Sequence, residues 1–191
     1  MQQTTVSAPP KQTNRLWLLM PLVLFALVSL TIGIAAQHTA HLVTTPPFKF
    51  FFTDFLHLKV WFVTAAAFLA VMQVITATRV YERIKFPPST QFWAFVHRWS
   101  GRTAITLTLP VAYHCILVLG YDVHTPDTRV LAHALMGSAL YGAFIGKVWI
   151  VRGKGFPSWA LPVAGGVLFS LLLGIWATSS LWFFSTAGAS F

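Results

Sequence analysis

Long apolar runs alternate along this chain with short polar segments that carry most of its prolines and most of its basic residues. Five such runs stand out, over 16–36, 60–77, 103–121, 130–151 and 160–184. Each is close to the roughly 20 helical residues that cross a hydrocarbon core, where every backbone polar group must be satisfied within its own segment. The pattern predicts an all-α, polytopic membrane bundle of about five transmembrane helices spanning 16–191, after a disordered tail over 1–15 that contains Pro9 and Pro10. Ile34-Ala35-Ala36 could mimic the cleavage site of a signal peptide. The long polar lead and full spanning length favour an uncleaved first helix.

The connections refine this picture. Residues 37–59 form a link rich in His, Pro and Phe, whose Phe48 to Phe55 portion suits the interface plane. Residues 79–102 form the most polar internal loop, broken by Pro87 and Pro88, with helix expected to resume from Gln91. Pro110 inside the third run predicts a kink or a freed carbonyl. The turn over 122–129 is short, so the third and fourth helices are expected to be antiparallel neighbours. Lys147 lies near enough to its helix end to snorkel, and Trp182, Phe183 and Phe184 mark a headgroup boundary.

Composition excludes a soluble domain: 56% of residues are hydrophobic, only 9% are charged, and the mean hydropathy is +0.69. The formal charge of +9 lies between apolar runs rather than on a basic stripe, which argues against nucleic acid as a partner. Lys11, Arg15, Arg79, Arg83, Lys85, Arg98, Arg102, Lys147, Arg152 and Lys154 fall on one side of the spans; Lys49, Lys59 and Arg129 fall on the other. The positive-inside rule then predicts a multi-pass protein of the cell membrane, amino terminus cytoplasmic and carboxyl terminus outside. Cys115 is the only cysteine, which excludes an internal disulfide, and reads as a packed small side chain.

Seven histidines in so apolar a chain need an explanation. His38, His41, His57, His114, His124 and His133 map to the outer half, and His97 to the cytoplasmic end. His114 and His133 fall inside predicted spans, where an ionisable side chain implies an internal partner or a bound ligand. Either one alone is as readily a neutral imidazole hydrogen-bonded across the bundle. Counted from the span ends at about 1.5 Å per residue, they lie roughly 10 Å and 5 Å below the outer boundary. At nearly one depth on consecutive helices, the two could coordinate one iron from opposite faces of a haem. Gly137, with Ser138, Gly142, Ala143 and Gly146, would leave room for the macrocycle, although small residues also serve plain helix packing. Lys59 and Arg129 could neutralise propionates.

The stretch His97-Arg98-Trp99-Ser100-Gly101-Arg102, followed by an apolar helix with His114 and a helix opening with His133, resembles the core of the ferric reductase-like and cytochrome b561-like membrane proteins. The resemblance covers roughly 92–152 and implies haem b held by intramembrane histidines for electron transfer across the bilayer. The chain is also similar to five-helix bacterial membrane proteins, which adds no function. Such families place a second histidine thirteen or fourteen positions away on the same helix face. Here His97 and His114 are seventeen apart, about 100° short of whole turns. The expectation is therefore one haem b, with His97 structural, or two haems if a partner subunit completes a site at His97.

Several chemistries have no carrier: no glycine-rich phosphate loop, no His-Glu-x-x-His and no nucleophile with its base and acid. His38, His41, Asp54 and His57 could meet as a copper or zinc site or a quinol proton acceptor, but read more simply as solvated loop residues. Metal transport would need acids deeper in the membrane than the sequence offers. Two functional readings stand. In the first, a b-type cytochrome relays electrons from a membrane donor, quinol or a partner protein, to an outer-face redox acceptor through His114 and His133. In the second, a non-catalytic subunit uses its histidines as interhelical hydrogen-bonding groups within a complex.

Overall fold

In the computed structural model the described residues are 15–39, 47–81, 90–120 and 127–188, and they contain helices and no strands. A 3₁₀ turn over Arg15–Leu19 leads into α1, Met20–Thr39. Then follow α2, Phe55–Val80, and α3, Thr90–Tyr113, which continues as a π-helical turn over His114–Leu119. The fourth helix, α4, covers Thr128–Arg152. The fifth, α5, covers Ala160–Trp176 and passes through a second π-helical turn, Ala177–Leu181, into α6, Trp182–Ala187. Five helical stretches are long and apolar enough to cross a membrane, and leucines such as Leu22, Leu27 and Leu30 point outward from α1, as a lipid-facing surface requires. The predicted tail, apart from Arg15, lies outside the described residues, as do His41 and His124.

Two helices begin earlier than their apolar runs. The Asp54 carboxylate accepts hydrogen bonds from the Leu56 and His57 backbone N–H groups at 2.8 and 2.9 Å, starting α2 five residues before the predicted Val60. This cap satisfies amide donors that a helix start leaves without intrahelical partners. In α3, Arg98 and Arg102 end the apolar run but not the helix, which extends beyond the hydrocarbon level back to Thr90. Charge limits where a helix can be buried in lipid, not where it can be helical.

The expected pairing of the third and fourth helices is corrected by the packing. Most of the contact made by α3 is with α2, while α4 lies between α1 and α5, and α2 also packs on α5. Gly142 and Gly146 explain the choice: a Cβ on Gly142 would overlap the Ser29 side chain and the Phe25 carbonyl, and one on Gly146 would come 3.0 Å from the Pro21 carbonyl oxygen. Small residues one turn apart let two helix backbones approach, the main source of attraction between helices in lipid. Hydrogen bonds hold the other seams. Ser180 donates to the Val60 carbonyl at 2.9 Å, and the Trp176 indole to Thr64 at 3.2 Å. Near the C-terminal end of α1, the Thr39 hydroxyl lies 2.7 Å from both the Ala35 carbonyl of its own helix and the Ile116 carbonyl, where α1 meets the π turn of α3. A core of Val63, Ala66, Ala70, Val111, Leu140, Leu172 and Ile175 fills the centre of the bundle.

Candidate functional site

With α3 and α4 free of extended packing against each other, a cavity of about 360 Å³ opens beside the core, within the size range of small-molecule sites. On α3 the lining residues are Thr108, Val111, Ala112, Cys115, Ile116 and Leu119, a single stripe at helical spacing. On α4 they include Arg129, His133, Gly137 and Tyr141; Lys59 enters from α2, and Thr178 and Trp182 come from the α5 end. A Cβ built on Gly137 would meet no atom within 4 Å, so this glycine belongs to the cavity while Gly142 and Gly146 belong to the α1 seam.

Polar groups sit at three levels. At one end the Tyr141 hydroxyl donates to the Thr108 carbonyl at 3.0 Å and lies equally close to its Oγ1, bridging α4 to α3. About 12 Å along α4, by helical rise, stands His133. One more turn brings the Lys59 and Arg129 mouth. There the Arg129 Nη1 donates to the Thr178 carbonyl at 2.9 Å, and the guanidinium lies 3.9 Å from the centre of the Trp182 ring.

Hydrogen-bond accounting fixes the His133 ring. Thr178 Oγ1 donates to the Gly174 carbonyl at 2.8 Å, so its lone pairs are what remain for His133 Nδ1, 3.1 Å away. The proton is therefore assigned to Nδ1, and Nε2 carries a lone pair. That nitrogen lies 4.0 Å from Cys115 Sγ, on a cavity wall that is otherwise mostly apolar.

His114 is placed differently. It is fully buried, but its neighbours are Phe48 at 4.4 Å, Tyr113 at 5.3 Å and Phe55 at 5.6 Å between ring centres, and it does not line the cavity. Its position falls off the 108–111–112–115 stripe, toward the far side of α3. Nδ1 donates to the Pro110 carbonyl at 2.8 Å, and the buried Nε2 has no hydrogen-bond partner. The structure thus brings His133 and Gly137 to one cavity and leaves His114 outside it. A haem clamped by both imidazoles does not fit these residues, because only one ring faces the space between α3 and α4.

His97 joins neither histidine. Its Nδ1 lies 2.8 Å from Thr76 Oγ1, which itself donates to the Met72 carbonyl at 2.7 Å. The Gln73 amide donates to the His97 carbonyl and to Ser100 Oγ, fastening α2 to α3. His57 pairs with Asp54 at 2.9 Å, and His38 is exposed. Among the described residues no three His, Cys, Asp or Glu side chains come together as a metal site.

Sequence reasoning gave no site role to Thr178 or Tyr141 and read Cys115 as a packed small side chain. The signals were the spacing that puts Cys115 on one face with Thr108 and Val111, and the Thr178-Ser179-Ser180 run inside an apolar span. Both π-helical turns lie beside this cavity, and such turns often accompany functional sites. No curated protein and no solved structure matches the chain. A family model described as a family of unknown function, DUF6529, matches residues 18–191, and the chain belongs to that family.

Proposed function

We propose that this protein is a binding subunit of the cell membrane that holds a lipophilic redox molecule of the quinol class, with the Lys59 and Arg129 end facing outward. The observation that carries the reading is the Nε2 of His133, whose one hydrogen-bonding contact among the described residues is the weakly bonding Cys115 thiol at 4.0 Å, on the wall of an apolar cavity of ligand size. A quinol supplies what that nitrogen needs, a hydroxyl donor on a flat ring, and its tail matches the Val63, Leu140 and Leu172 wall. On oxidation the quinol gives up two electrons and two protons. His133 Nε2 accepts one proton, the other leaves through the polar mouth, and the electrons pass to a redox partner protein at the outer face.

Trp182 lines the cavity and provides the readout. A short-tailed quinol is expected to quench part of the tryptophan emission of the purified protein, and His133→Ala to weaken that binding about tenfold, the scale of one buried hydrogen bond. Absence of quenching in the wild type contradicts the reading. A Soret band in the purified protein would replace the quinol with haem.

The second reading, a non-catalytic scaffold, draws on His97 and His133, whose rings bond across helices to Thr76 on α2 and to Thr178 beyond α5. It does not account for the His133 Nε2, which faces the cavity, nor for His114, whose bond to the Pro110 carbonyl stays within its own helix.

A further inference from the structure

The mouth of the cavity is more specific than its walls. Lys59 on α2 and Arg129 on α4 both line it, and among the described residues no acidic one does. Of the described carboxylates near it in sequence, one pairs with a histidine and the other, on the exposed side, with Arg129. Asp54 caps α2 and pairs with the His57 ring at 2.9 Å. Asp127 caps α4 through the Arg129 backbone N–H at 2.8 Å and reaches the Arg129 guanidinium only at 3.5 Å. Arg129 is held in place by the Thr178 carbonyl and the Trp182 ring, while Lys59, half-buried, forms no hydrogen bond or ion pair among the described residues.

Lys59, without a carboxylate partner among the described residues, and Arg129, paired only with the exposed Asp127 at 3.5 Å, repel each other at the rim of a low-dielectric cavity, and each loses hydration there. An anion seated between them removes both penalties and gains charge-assisted hydrogen bonds. We infer that the molecule this cavity takes is an acidic amphiphile, an apolar tail with an oxyanion head placed between Lys59 and Arg129. The inference rests on the proposed reading of the cavity as a lipophile site and adds the charge of the occupant. Two sources share this chemistry: a quinone bearing an ionised ring hydroxyl, and an acidic membrane lipid.

The test uses the full chain in phosphatidylcholine nanodiscs and two probes, a hydroxynaphthoquinone with an undecyl tail and its methyl ether, read by tryptophan quenching. The ionised probe is expected to bind about tenfold more tightly than the ether, and Lys59→Met to abolish most of that difference while Lys59→Arg keeps it. Equal binding of both probes overturns the acidic head and leaves the quinol reading intact. Binding of neither overturns the lipophile site itself. Repeating the titration in discs containing phosphatidylglycerol separates the sources. Competition in the wild type that Lys59→Met removes identifies the lipid, and its absence identifies the free acid.

Discussion

His133 Nδ1 and Thr178 Oγ1 lie 3.1 Å apart, and because the Thr178 hydroxyl spends its proton on the Gly174 carbonyl, the imidazole must donate. This one contact decides which nitrogen of His133 meets the cavity. A side chain on α5 thereby sets the chemistry of a side chain on α4.

Thr178→Val removes the acceptor and frees the ring to turn or to exchange its proton between nitrogens. Quinol affinity is expected to fall about three- to tenfold, in line with one lost hydrogen bond, while Thr178→Ser retains most of it. Melting temperatures of the solubilised variants provide the control. A loss of affinity in Thr178→Val that tracks only a loss of stability would assign Thr178 to packing.

Gly142→Leu drives a side chain into Phe25 and Ser29 and should part α1 from α4. Overpacking of this kind typically destabilises by about 1–3 kcal/mol. The same change at Gly137, which faces the cavity, is expected to spare stability and block ligand binding. Thermal unfolding and quenching measured on both variants check the division of labour between the two glycines.

Much of this architecture was legible beforehand, because a bilayer leaves few ways to satisfy a backbone, and five apolar runs of spanning length read as five helices. The start of α2 was hidden by Lys59, which looks like a boundary in the sequence and is a cavity residue in the fold. The helices α3 and α4 face each other across the cavity without close packing, because a short turn joins helices in sequence without deciding which surfaces pack. Gly142 and Gly146 turned α4 toward α1 instead. For the site, depth along the helices could be counted from residue numbers, and His133 and Gly137 both line the cavity. Rotation could not be counted so simply. A single position separates His114 from Cys115, and the stripe beginning at Thr108 and Val111 gives the cavity to the cysteine.

Asp54 offers a pH handle outside the spans. The His57 backbone N–H is the largest cause holding its carboxyl below the ordinary value of 3.8, and the His57 ring adds to it. A depressed carboxyl pKa contributes stability that is present above 3.8 and is lost as pH falls through the lower folded value. Asp54→Ala should therefore destabilise by about 1 kcal/mol at neutral pH, as loss of an N-cap does. The gap between its melting temperature and that of the wild type should close in acid, well below pH 3.8. A gap that persists unchanged into acid would mean that the charged carboxylate is not what caps α2.

The most direct test of the account is quinol binding to wild type and His133→Ala, with an absorption spectrum of the same samples after dithionite reduction. The expected result is a colourless protein whose tryptophan emission a short-tailed quinol quenches, about tenfold less tightly in the variant, with His114→Ala binding as the wild type does. Reduced wild-type protein showing a Soret band lost in both histidine variants, or quenching indifferent to His133, would contradict it.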